Sequence, residues 1–125
     1  MKIAVTITRI LLGLIFLFSS VSYFLNLVPQ PEMEGDIKIF NLGLSASVYL
    51  IPLVKAIELL CSIAFLSGRF VPLATLVIFP IIINILLVHT FLAPEGLPVA
   101  LLLLIGNLLI AYNFRKNYTP ILASK

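Results

Sequence analysis

Lys55 and Glu58 lie three residues apart in a segment that is otherwise apolar enough to belong in a lipid bilayer. A charged side chain at the centre of a membrane helix costs about 2.5 to 3.5 kcal/mol, so such residues usually mark ion or proton paths or ligand contacts. Positions i and i+3 share one helix face, where Lys55 and desolvation can together tune Glu58 as a proton carrier. The alternative is a purely structural ion pair, with Lys55 extending its amine towards water.

The composition is that of an integral membrane protein. Of the 125 residues, 62% are hydrophobic and 10% are charged, and the mean hydropathy is +1.22. A helical span needs about 20 apolar residues, so this length accommodates about four spans in one domain and no separate aqueous domain. The net charge of +3 does not indicate nucleic acid binding, because the basic residues stand at the ends of apolar stretches and orient the helices.

Four apolar stretches predict an all-α fold, an integral membrane four-helix transmembrane bundle formed by residues 1–125. Their approximate bounds are 3–28, 45–67, 70–92 and 97–113. Pro29 and Gly68 are typical residues beyond a helix end, whereas Pro72 and Pro98 suit a first helical turn. The first stretch is longer than the core of a secretory signal, which favours an uncleaved anchor over a cleaved leader.

Charged residues separate cleanly between the two sides of the bilayer. One side carries Lys2, Arg9, Arg69, Arg115, Lys116 and Lys125, and the other carries Glu32, Glu34, Asp36 and Glu95 with Lys38. Basic residues in short connections stay in the cytoplasm, so both termini are expected there. In the first outer connection, a short helix lying on the membrane surface is indicated by residues at helical spacing, Ile37, Phe40, Asn41 and Leu44, with an ordered loop as the alternative.

Polar side chains concentrate in the outer half of the predicted spans. Ser19, Tyr23 and Asn26 follow an i, i+4, i+7 stripe on the first helix. His89 lies about one turn from the outer end of the third helix, where an imidazole could accept or release protons. We therefore predict a polar pocket open to the outer leaflet. The predicted catalytic residues are Glu58 and His89, and the predicted ligand-binding residues are Ser19, Tyr23, Asn26, Lys55, Asn84 and Asn107.

Each of these assignments has a structural alternative. Asn84 and Asn107, near the bilayer midplane, can serve as interhelical hydrogen-bond partners, and His89 can simply be solvated. Gly13 and Gly106 are typical of positions where membrane helices pack closely.

Composition also limits the chemistry. One histidine and one cysteine cannot supply the ligands of a two-histidine haem, an iron-sulfur cluster or a zinc site, so we expect no metal site and no intrinsic cofactor. Cys61 falls in mid-span and is interpreted as a small buried apolar group. Neither a nucleophile with an adjacent base nor a phosphate-binding glycine loop is present, so the chain is not expected to catalyse a reaction alone.

Several short motifs resemble the DoxX and DoxX-like family of small four-helix membrane proteins. They are Arg9, Leu12, Gly13 and Phe16 in the first helix, Glu58 followed by Gly68 and Arg69, and then His89. The resemblance covers nearly the whole chain. It implies a bacterial or archaeal protein of the plasma (inner) membrane, linked in some members to quinone-coupled redox chemistry, including a small subunit of a thiosulfate to quinone oxidoreductase.

The first helix departs from this pattern at two positions. DoxX proper tends to carry a glycine and a lysine three residues later, where this chain has Ser20 and Tyr23. This difference favours the DoxX-like branch.

Three functional hypotheses follow. In the first, the protein binds a quinone or a similar lipid-soluble ligand, with Glu58 carrying protons, His89 assisting, and electrons coming from a redox partner protein. In the second, it is a non-catalytic accessory protein whose polar residues lock the bundle and whose surface meets a partner or a second copy. In the third and weaker one, a homo-oligomer conducts protons or a small solute across the membrane.

Overall fold

The computed structural model describes residues 2–27 and 34–122, and in these ranges the chain is helical without a strand. The elements are α1 (Lys2–Leu25), α2 (Asp36–Ala46), α3 (Leu50–Ser67), α4 (Val71–Phe91), a 3-10 turn (Pro94–Gly96), α5 (Leu97–Asn113) and α6 (Arg115–Leu122). The all-α prediction is confirmed.

Four of the described segments are long and apolar enough to cross a membrane: α1, α3, α4 and Pro94–Asn113. The second span begins at Leu50 rather than near Ser45, because α2 continues to Ala46 and Val48 then turns the chain with a φ of 71°. The 3-10 turn lengthens the fourth span to 20 residues, which gives about 30 Å and matches a hydrocarbon core.

The four spanning helices form a closed ring in which α1 and α4 each pack against both α3 and α5. Its centre is filled by large apolar side chains that are at most 2% exposed: Phe16, Phe65, Ile78, Ile82 and Ile110. Leucine and isoleucine side chains also cover the outside, as expected for helices surrounded by lipid. Cys61 is a free thiol and is buried, in agreement with its interpretation as an apolar group.

Glycines set how closely α1 approaches its neighbours. A Cβ on Gly13 would lie 2.8 Å from Leu66 Cγ, and a Cβ on Gly106 would lie 3.0 Å from Thr8 Cγ2. Any larger residue would therefore push α1 away from α3 or α5. The predicted close packing at Gly13 and Gly106 is confirmed.

The alternating helix direction gives the bundle two chemically different ends. At the basic end α1 and α4 begin and α3 and α5 end, and this end carries Lys2, Arg9, Arg69, Arg115 and Lys116. At the acidic end α1 and α4 finish and α3 and α5 begin, beside Glu34, Asp36 and Glu95. The prediction that the basic end faces the cytoplasm stays a prediction.

Short helices add to both ends. The predicted helix in the first connection is confirmed as α2, and its side chains at Ile37, Phe40, Asn41 and Leu44 are partly buried while most others on α2 are exposed. At the basic end, the Tyr118 hydroxyl of α6 contacts Thr75 Oγ1 and donates to the Pro72 carbonyl at 2.9 Å. These bonds hold α6 against the start of α4.

Candidate functional site

Lys55, Glu58 and Ser19 form one polar cluster between α1 and α3, which we call the ion-pair cluster. Lys55 Nζ lies 2.7 Å from Ser19 Oγ and 3.2 Å from Glu58 Oε2. The Ser19 hydroxyl lies 3.5 Å from the same carboxylate oxygen. The structure thus brings together one residue predicted to be catalytic and two predicted to bind ligand.

The two charges of the ion-pair cluster are buried to different degrees. The Glu58 side chain is only 4% exposed, whereas that of Lys55 is 22% exposed. A carboxylate in such surroundings has lost its water and depends on the amine and the hydroxyl for stabilisation. Lys55 is the more exposed partner, and it connects the buried Glu58 carboxylate with a neighbouring cavity that Lys55 also lines.

That space is a hollow of about 790 Å³ at the acidic end, walled by α1, α2 and the first turns of α3. We call it the polar hollow. Its polar lining consists of Tyr23, Asn26, Lys38, Asn41, Ser45 and Lys55. Its apolar lining includes Leu42, Val48 and Ile51. Tyr23, Asn26 and Lys55 were predicted to bind ligand and do share this hollow.

Sequence reasoning missed the contribution of α2. Lys38, Asn41 and Ser45 belong to this helix, which packs on α3 and forms a wall of the hollow. Its expected position on the membrane surface stays a prediction. The helical stripe that ends at Leu44 was the available signal, because it shows that α2 has an inner face. Nothing in the spacing indicated that α2 packs on α3 and lines a hollow together with α1.

His89 lies in a different place. Its Nδ1 is 3.1 Å from the Ala93 carbonyl, and its ring packs over Gly96 in the 3-10 turn. The residues that line the polar hollow do not include it. The contacts of His89 order the connection between α4 and α5, and its predicted catalytic role stays a prediction.

A substitution can test this view of His89. We expect His89→Ala to speed amide hydrogen exchange at Ala93, Glu95 and Gly96, because the imidazole that covers this turn is removed. Thr90→Ala is the matched control, since the Thr90 hydroxyl bonds only to Leu86 within α4 among the described residues. Equal exchange in both variants would contradict an ordering role for His89.

The two predicted asparagines occupy opposite environments. Asn84 is exposed on α4. Asn107 is 1% exposed, and its Nδ2 donates to the Thr75 carbonyl of α4 at 3.2 Å. Its Oδ1 finds no partner within the part of the chain that the structure describes. Asn107 therefore joins α5 to α4, and neither asparagine lines the polar hollow.

At the basic end, Arg9 stabilises the terminus of α3. Its Nη1 donates to the Phe65 carbonyl at 2.9 Å, and its guanidinium lies against Gly68, which has a φ of 77°. Carbonyls of the last helical turn have no partner within their own helix, so a cationic donor there is favourable. Sequence reasoning had interpreted Arg9 mainly as an orienting charge.

Comparison with known proteins gives one finding. A sequence profile of the DoxX family matches residues 4–93. The matched part contains α1 to α4 with the ion-pair cluster and the polar hollow, and it ends before α5. No curated protein and no solved structure matches this chain.

Proposed function

This chain belongs to the DoxX family, and from that premise we propose that it is a redox-associated subunit that binds a quinone or a similar lipid-soluble ligand in the polar hollow. We place it in the plasma membrane of a bacterial or archaeal cell. One observation carries the proposal: Lys55 lines the hollow and at the same time bonds to the buried Glu58 carboxylate.

The size and lining of the hollow suit such a ligand. Its volume of about 790 Å³ is within the range of about 300 to 1,000 Å³ that is usual for small-molecule sites. Lys55, Tyr23 and Asn26 offer donors to a carbonyl oxygen, while Leu42 and Ile51 offer apolar surface to a ring or an isoprenoid tail. A mostly apolar ligand with two carbonyl oxygens matches this division.

The residues of the ion-pair cluster have separate roles in this proposal. A bound quinone supplies two-electron chemistry and takes up two protons on full reduction. Lys55 orients a ligand oxygen with its Nζ, and Glu58 holds or releases a proton at Oε2, 3.2 Å from that amine. Electrons come from a partner protein, because one histidine and one cysteine do not provide a redox centre.

Titration of purified protein with decylubiquinone tests the proposal. Binding to the wild type should be saturable, and Lys55→Met should weaken it about tenfold or more, the loss of one charge-assisted hydrogen bond. Glu58→Gln should weaken it as well, because it changes the partner that positions the amine. Isothermal calorimetry in detergent gives the dissociation constants.

Asn84→Ala is the control for this titration, since Asn84 is exposed on α4 and does not line the hollow. It should retain the wild-type affinity. Absence of saturable binding, or an equal loss in the control and in Lys55→Met, would refute quinone binding in the hollow.

One observation favours the second hypothesis, a non-catalytic accessory protein. The Glu58 side chain is buried, at 4% exposure, and does not itself line the hollow. This is expected if the ion pair of Lys55 and Glu58 only stabilises the packing of α1 against α3. On this hypothesis, Lys55→Met and Glu58→Gln lower stability in detergent and leave the decylubiquinone response unchanged. The same two variants therefore separate the hypotheses.

A further inference from the structure

A second cavity lies at the basic end, far along the bundle from the polar hollow. It is a cleft of about 280 Å³ between the first turns of α1, the turn that joins α3 to α4, and the end of α5. We call it the basic cleft. Its polar lining consists of Lys2, Thr6, Arg9 and Asn113. Its apolar lining includes Val5, Val71 and Phe114.

The basic cleft carries positive charge that no acidic side chain in the described ranges 2–27 and 34–122 compensates. Among the acidic residues of these ranges, Glu58 pairs with Lys55, and Glu34, Asp36 and Glu95 lie at the acidic end. Two cations of the lining, Lys2 and Arg9, therefore share one small space to which no described residue contributes a carboxylate. Two like charges that line one cleft repel each other, and an anion bound between them offsets that repulsion.

Arg9 retains donors for such an anion. A guanidinium has five N–H donors, and in the described ranges of the chain only the Phe65 carbonyl accepts from this one, through Nη1. The guanidinium packs closely against Gly68, since a Cβ at that position would lie 2.5 Å from Nη1, and Arg9 also lines the basic cleft. Arginine offers paired donors in one plane, the arrangement that phosphate oxygens accept best.

Helix dipoles do not oppose binding here. The ends of α3 and α5 contribute negative partial charge, and the starts of α1 and α4 contribute positive partial charge. The partial charges at two termini of each sign nearly cancel. The full charges of Lys2 and Arg9 then dominate the electrostatic potential of the cleft.

We propose that the basic cleft is a binding site for a phosphate-type oxyanion, with Arg9 and Lys2 as its charged ligands and Thr6 and Asn113 as neutral ones. The phosphate group can belong to the headgroup of an anionic phospholipid or to a free anion in solution. Basic pockets between membrane helices are characteristic sites of anionic headgroups. This site is independent of the proposed quinone site at the other end of the bundle.

Two probes distinguish the sources of the phosphate group. The first is inorganic phosphate added to the full-length protein in detergent, compared with chloride at equal ionic strength. The second is reconstitution into nanodiscs of phosphatidylglycerol or of phosphatidylcholine, followed by native mass spectrometry of retained lipid. We expect at least one of two results. Either phosphate raises the melting temperature in the first assay, or the protein retains phosphatidylglycerol in preference to phosphatidylcholine in the second.

The variants separate binding from folding. Lys2→Gln should lower the apparent affinity about tenfold without affecting the bond between Arg9 and Phe65. Thr6→Val should weaken binding less, and Arg9→Gln should abolish it. Arg69→Gln is the matched control, because Arg69 is an exposed cation on the same turn that does not line the cleft. It should bind as the wild type does.

A phosphate effect without a lipid preference would identify a free anion as the ligand, and the reverse result would identify a lipid headgroup. Either result supports the site if Lys2→Gln weakens the observed phosphate or lipid effect and Arg69→Gln leaves that effect unchanged. Absence of both effects, or equal losses in Lys2→Gln and Arg69→Gln, would overturn the proposal.

Discussion

Lys55→Met is expected to lower the free energy of unfolding by about 3 kcal/mol, the lower end of the range for breaking a buried ion pair by removing one partner. The physical reason is that Glu58, at 4% exposure, would be left buried without the amine. The lower end applies because Lys55 is itself 22% exposed. Reversible unfolding in mixed micelles measures the difference.

The burial difference also predicts an asymmetry between the two partners. Glu58→Gln leaves an amine that can turn into the polar hollow and regain water, so this variant should cost about 1 to 2 kcal/mol. The double variant should lie close to Glu58→Gln, because methionine beside a neutral amide leaves no buried charge. Equal costs for the two single variants, or additive costs in the double variant, would contradict this account of the ion-pair cluster.

Much of the fold is encoded in local features of the sequence. Four apolar stretches separated by proline, glycine and charged residues were sufficient to predict four spans, since the bilayer sets the length of each helix. Gly13 and Gly106 indicated close helix packing, because a residue without a Cβ lets a neighbouring helix approach closely. The convergence of Ser19, Lys55 and Glu58 followed from depth and helix face.

Other features depend on tertiary contacts that spacing does not encode. Asn84 and Asn107 occur at similar depth, yet one is exposed and the other is 1% exposed. In a helix that is apolar on all sides, periodicity does not reveal which face is buried. His89 was predicted from its depth to belong to the pocket, and its partner is the Ala93 carbonyl four residues later.

The tertiary contacts made at helix termini were also not predictable from the sequence. The positive φ of Val48 lies between α2 and α3, and α2 packs against α3 as a wall of the polar hollow, a contact that the spacing did not predict. Val48 is a β-branched residue in the left-handed region, which sequence rules disfavour. The bond from Arg9 to Phe65 joins residues 56 positions apart, so neither residue alone indicated it.

Gly68→Ala is expected to destabilise the protein by about 3 kcal/mol through two effects at one position. Gly68 has a φ of 77°, and a left-handed conformation costs about 1 to 2 kcal/mol for a residue with a Cβ. The same Cβ would lie 2.5 Å from Arg9 Nη1, so the guanidinium must shift, and its charge-assisted bond to the Phe65 carbonyl, worth about 1.5 to 3 kcal/mol, weakens. Unfolding in mixed micelles again gives the measurement.

Gly43→Ala is the matched control for Gly68→Ala, because Gly43 lies within α2 and nothing lies within 4 Å of its Cβ position. This variant should be neutral or should stabilise the protein by up to about 1 kcal/mol, the difference in helix propensity. Arg9→Ala tests the second effect, since in that background Gly68→Ala should cost only the backbone term. If Gly68→Ala costs the same with and without Arg9, the guanidinium does not support the end of α3, which would contradict the role assigned to the bond between Arg9 and Phe65.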